Sequence, residues 1–99
     1  MKEAVELLAP LCMAASHPSL PGHFPDDPVV PGVVLLDAVA ALLERDGYGR
    51  IAHIVVVKFQ APLRPEQSAN LRITTDGRRV RFRIERGATT ILSGEGGLA

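Results

Sequence analysis

The sequence predicts an α+β fold in which an antiparallel sheet wraps around one central apolar helix. Three observations point there. Residues 33–43 are apolar except for Asp37, and their apolar positions run all the way round a helical wheel, as expected of a helix enclosed by other elements. From Arg79 to Glu85, charged residues alternate with Val80, Phe82 and Ile84, the period of a strand with one buried face. Between two strand-like runs stands Asp76-Gly77, a strong hairpin signal.

Taken in order, residues 5–15 fit a strand or a helix, because their Leu and Ala content favours helix while Pro10 interrupts either. Between residues 16 and 31, five prolines and Gly22 exclude regular structure and predict a stiff, ordered loop. The helix starts at Pro31 or Gly32, since proline suits a first turn whose N–H would lack a partner anyway. It ends near residues 44–46, with Gly47 as terminator. Strands follow at residues 51–61, 69–75, 78–86 and 89–95. A sheet curved around one helix leaves edges open, so two copies are expected to pair edge to edge as a dimer.

The chain has 99 residues and is expected to form one domain, residues 1–99. A domain of this size buries only about two-thirds of its unfolded surface, so self-association should add to stability. With 46% apolar and 22% charged residues, the composition is that of a globular protein and excludes disorder. The lone Cys12 rules out an intrachain disulfide and a cysteine metal cluster, fits a reducing, cytoplasmic setting, and is read as a small buried hydrophobe. Glu3, Glu6 and Pro10 argue against a signal peptide, and residues 33–43 are too few to span a bilayer. No membrane association is expected.

Net charge is zero, but the first 49 residues hold two basic residues against seven acids and the remainder nine against four. A basic face is therefore expected. Nucleic acid is disfavoured as a partner, because no aromatic residues interleave with the arginines.

The stretch Gly22-His-Phe-Pro-Asp-Asp-Pro-Val-Val-Pro-Gly-Val-Val-Leu-Leu-Asp37 follows the pattern G-H-F-P-x-x-P-x-x-P-G-V and then an acid. It resembles the signature of the hot-dog-fold 3-hydroxyacyl-[acyl carrier protein] dehydratases, and its compact spacing is similar to the small stand-alone dehydratases of aryl polyene type pathways. The segment Lys58-Phe-Gln-Ala-Pro-Leu-Arg-Pro65 extends the resemblance. Two positions depart from it: Asp26 stands where glycine is usual, and the acid is Asp37, as in the unsaturated-fatty-acid branch, rather than glutamate.

The resemblance implies dehydration of a 3-hydroxyacyl thioester to the trans-2-enoyl thioester, on an acyl carrier protein bearing a phosphopantetheine-linked chain. It also implies a homodimer, open to further assembly, in which the histidine of one protomer faces the acid of its neighbour. Neither metal nor organic cofactor is required. His23 is the candidate base, since imidazole titrates near the working pH. Asp37 is the candidate acid, because apolar surroundings disfavour a charged carboxylate and favour the proton-donating form. The Gly32 N–H, at the positive end of the helix dipole, would polarise the thioester carbonyl. Val33 and Phe24 are the candidate substrate contacts, although Phe24 and the prolines at 25, 28 and 31 are read first as loop packing that shapes the site. His17 and His53 are read as surface or structural residues. Two alternatives use the same fold: a thioesterase in which Asp37 activates water, and a non-catalytic acyl-binding module.

Overall fold

The structure, a computed structural model, describes residues 4–14 and 29–99. Along the chain come β1 (Val5–Leu11), α1 (Gly32–Arg45), β2 (Ile51–Phe59), β3 (Ala69–Thr75), β4 (Arg79–Arg86) and β5 (Thr89–Leu98). The strands form one antiparallel sheet in the order β1-β3-β4-β5-β2. The segment that fitted helix or strand equally is thus a strand, decided by its pairing with β3 from Val5↔Thr75 to Leu11↔Ala69. Pro10 is tolerated because β1 is an edge strand, where a missing N–H breaks no ladder on its open side.

The hairpin β3–β4 sets the core. Leu71↔Ile84, Ile73↔Phe82 and Thr75↔Val80 are cross-strand partners, and all six side chains are buried on one face. Against that face lie Val34, Leu35, Val39, Leu42 and Leu43 of α1, joined by Ile91 and Leu92 of β5 in a single cluster. Ile84 is fully buried, at 0% exposure. Truncating it by Ile84→Ala is expected to cost about 2–5 kcal/mol, a large share of a typical domain's stability, and chemical denaturation will read the loss directly.

Charged partners occupy the opposite face. Arg72 and Arg83 stand directly opposite one another, a destabilising arrangement for like charges. Glu85 lies between them, 3.9 Å from Arg72 and 4.0 Å from Arg83, and Glu6 meets Arg72 at 3.4 Å. Carboxylates therefore offset the repulsion, although each exposed pair contributes at most about 1 kcal/mol.

In the turn, Asp76 Oδ1 accepts from the N–H groups of Arg78 and Arg79, both at 2.9 Å. These bonds, the one from Arg79 first, hold the Asp76 carboxyl below its usual 3.8. A carboxylate favoured by folding stabilises above its unfolded value and loses that contribution as pH falls through the folded one. Asp76→Ala should accordingly lower the Tm near neutral pH, and the gap to the parent should close as both are acidified below 3.8.

The helix ends as predicted. Gly47 adopts φ +82°, and the Gly47 and Tyr48 N–H groups donate to the Glu44 and Leu43 carbonyls at 3.1 and 2.9 Å. This paired closure is the Schellman motif, and it needs the left-handed backbone that glycine supplies freely.

The antiparallel sheet packs around the core side of α1 as expected, and Val33, Asp37, Ala41 and Glu44 form an exposed stripe in the single chain. Three expectations are corrected. Cys12 is exposed, not buried; Leu7, Ala9 and Leu11 take the half-buried positions of β1, and the residue after Leu11 falls on the other side. β5 runs on to Leu98, beyond residue 95, and β2 stops at Phe59. Among the described residues no helix is long and apolar enough to cross a membrane.

Candidate active site

The start of α1 is built to leave donors free. Its N-cap is Pro31, and no side chain caps it; proline has no oxygen in its side chain to offer the first turn, unlike the usual Ser, Thr, Asp or Asn. The first helical bond is made by the Val34 N–H to the Pro31 carbonyl, at 3.0 Å. The N–H groups of Gly32 and Val33 precede it, at the positive end of the helix dipole. No acidic residue occupies the first turn.

Beside these donors opens a cleft of about 300 Å³ lined by Val29, Val30, Gly32, Leu35, Phe59 and residues 60–63. Its walls combine Val29, Val30, Leu35, Phe59 and Leu63 with Gln60, and the Gly32 backbone stands among them, a mixture of apolar and polar groups suited to a small-molecule site. Phe59, the last residue of β2, forms one wall. A β-carbon on Gly32 would lie 2.5 Å from Phe59 Cε1 and 2.8 Å from Cζ, so the absence of a side chain at 32 is what admits the ring.

Two backbone bonds hold Met13 and Val30 in place. The Glu66 N–H donates to the Met13 carbonyl and the Val30 N–H to the Leu63 carbonyl, both at 2.7 Å. Both anchors use residues 63–66, which tie Met13 and Val30 to the same stretch of chain. His17, His23 and Phe24 lie outside the described residues. Asp37 is placed one helical turn beyond Val33, and both face the exposed stripe; Val33 is 65% exposed. The structure therefore brings Gly32 and Val33 to the cleft end of α1 and sets Asp37 on an open face of the single chain, between Val33 and Ala41. His53 is exposed, its ring packed over Gly97. Among the described residues no group of three or more His, Cys, Asp or Glu could hold a metal ion.

The sequence model of the ApeI-like family, described as ApeI dehydratase, matches residues 2–95. The chain belongs to the ApeI-like family. A curated relative, the 3-hydroxyacyl-[acyl-carrier-protein] dehydratase FabZ of Magnetococcus marinus, is 32% identical over 92 residues, which cover 80% of this chain and 59% of the relative. Against two further FabZ dehydratases the chain spans 47% and 46% of their length. Among solved structures, the dehydratase heterocomplex ApeI:P from Xenorhabdus doucetiae superposes with a TM-score of 0.81 at 28% identity, covering 93% of this chain and 85% of that one. A protein from Erwinia carotovora subsp. atroseptica follows at 0.77 and 25% identity, covering 97% and 84%. The ApeI-like chain thus has the hot-dog fold, as its motif implied.

Sequence reasoning missed Phe59 as part of the site. Its signal was faint but present: an aromatic residue ending a Val- and Ile-rich strand three positions before Pro62, where the chain must turn away from the sheet.

Proposed function

We propose that this ApeI-like chain dehydrates a 3-hydroxyacyl thioester, carried on acyl carrier protein, to the trans-2-enoyl thioester in fatty acid or polyene-type biosynthesis in the cytoplasm. The family match over residues 2–95 carries the reading, because it spans His23, Gly32 and Asp37 together. The uncapped donors at the start of α1, beside the cleft, supply the electrostatics the reaction needs.

In this reading the thioester carbonyl accepts from the Gly32 N–H, which stabilises the negative charge that develops on oxygen as the C2 proton leaves. The neutral imidazole of His23 takes that proton. Asp37 gives its proton to the C3 hydroxyl, which departs as water, and the C2–C3 double bond forms. Each half of the pair is expected from a different protomer.

The homodimer is part of the proposal, and β2 supports it. β2 lies at the sheet edge with Ile54, Val55 and Val56 exposed, an open ladder beside apolar side chains that a monomer would normally protect with charge. The other face supports the carrier. A groove lined by His53, Val55, Arg78, Arg79, Arg81 and Glu95 has, among the described residues, one carboxylate beside its arginines, and Glu95 already pairs with Arg81 at 3.6 Å. Such an excess attracts an acidic protein. Reversing two charges with Arg78→Glu/Arg79→Glu should raise KM for a carrier-borne substrate by about tenfold or more, and leave KM for the same acyl group on free pantetheine unchanged.

The test of the activity is a panel of 3-hydroxyacyl carrier proteins assayed for enoyl thioester and for free thiol. Enoyl product supports dehydration. Thiol release without enoyl product would support the thioesterase instead, and tight binding with neither product would support an acyl-binding module.

A further inference from the structure

We infer that Phe59 is a specificity-determining residue that keeps substituents off C2 of the bound acyl chain, an inference that rests on the dehydratase reading above. Phe59 is 58% exposed in the single chain, so burial in the core does not account for a phenylalanine here. Its ring instead leans on the bare Cα of Gly32, within the space a β-carbon would need. Glycine at 32 and phenylalanine at 59 form a matched pair, one vacating the volume that the other fills.

The position of the ring decides what it can sense. A carbonyl oxygen accepting from the Gly32 N–H would sit about 3 Å from that nitrogen, which brings the neighbours of the carbonyl carbon beside a ring that already packs on Gly32. On one side is the sulfur, the same in every pantetheine thioester. On the other is C2, where substrates differ. An unbranched chain carries only hydrogens at C2 and fits beside the ring, whereas a methyl group there needs the volume that Phe59 occupies.

The experiment compares the parent, Phe59→Leu, Gly32→Ala and Gly32→Ala/Phe59→Leu as full chains, on unbranched and 2-methyl 3-hydroxyacyl pantetheine thioesters. Leucine is smaller and apolar, and the position is exposed, so the variant keeps its fold. The ratio of kcat/KM for branched over unbranched substrate should rise about tenfold with Phe59→Leu, the scale on which pockets sense single methyl groups. Gly32→Ala should lower kcat/KM on the unbranched substrate by about tenfold, with most of it restored in the double variant, as expected for residues in contact. A ratio that stays constant while both substrates fall together would overturn the inference, as would losses that simply multiply. If the parent turns over the unbranched substrate, either result leaves the dehydratase reading standing; a parent that turns over neither fails that reading instead.

Discussion

Asp37→Asn is expected to lower enoyl thioester formation by about 10²–10⁴-fold, and His23→Ala by a similar factor, the usual worth of a positioned acid or base. The amide of asparagine matches the carboxyl in shape but has no acidic proton to give a departing hydroxyl. Because Asp37 is exposed in the single chain, the exchange should leave stability within about 0.5 kcal/mol of the parent. Steady-state turnover and thermal unfolding, measured on the same samples, separate lost chemistry from lost structure. Retention of full turnover by either variant would contradict the assigned role.

The second large effect concerns the β2 edge. Val55 is 65% exposed and stands where β2 slips register between Ile54 and Val56, so its side chain is free to meet a second copy. Val55→Lys should convert the dimer to monomer, since an edge lysine opposes strand pairing. In an isologous interface each substitution acts twice. At about 2 kcal/mol per buried apolar anchor, the dimer Kd would rise roughly a thousandfold. Turnover should fall in step with dimer content as protein is diluted, which sedimentation and activity measured at matched concentrations will show.

Much of this architecture was legible in the chain. The β3–β4 hairpin is written in the alternation of Val80, Phe82 and Ile84 with arginines, because a half-buried strand has no other way to satisfy both faces. The helix is written in its apolar run and in Gly47. What stayed hidden depends on distant partners. β1 has mixed local preference and becomes a strand only through β3, as context-dependent strand propensity allows. The end of β5 was hidden by Gly96 and Gly97, poor strand formers that are needed because the bulged β2 passes so close; a β-carbon on Gly96 would run into the His53 carbonyl oxygen. Nor does an apolar run say which side of a helix the sheet will leave uncovered, and that is why Asp37 lies on an open stripe rather than within the core. The site followed the same division. Gly32 could be read from its place after Pro31, whereas Phe59 enters the cleft only through the fold.

Subunit complementation tests the shared site most directly. His23→Ala and Asp37→Asn proteins, each inactive alone, are mixed, dissociated and allowed to re-pair. Half of the resulting dimers are mixed, and each mixed dimer holds one intact histidine facing one intact aspartate across the interface, so about one quarter of parental turnover should return. Mixed dimers that form but show no more activity than either parent variant would contradict a site built from two chains.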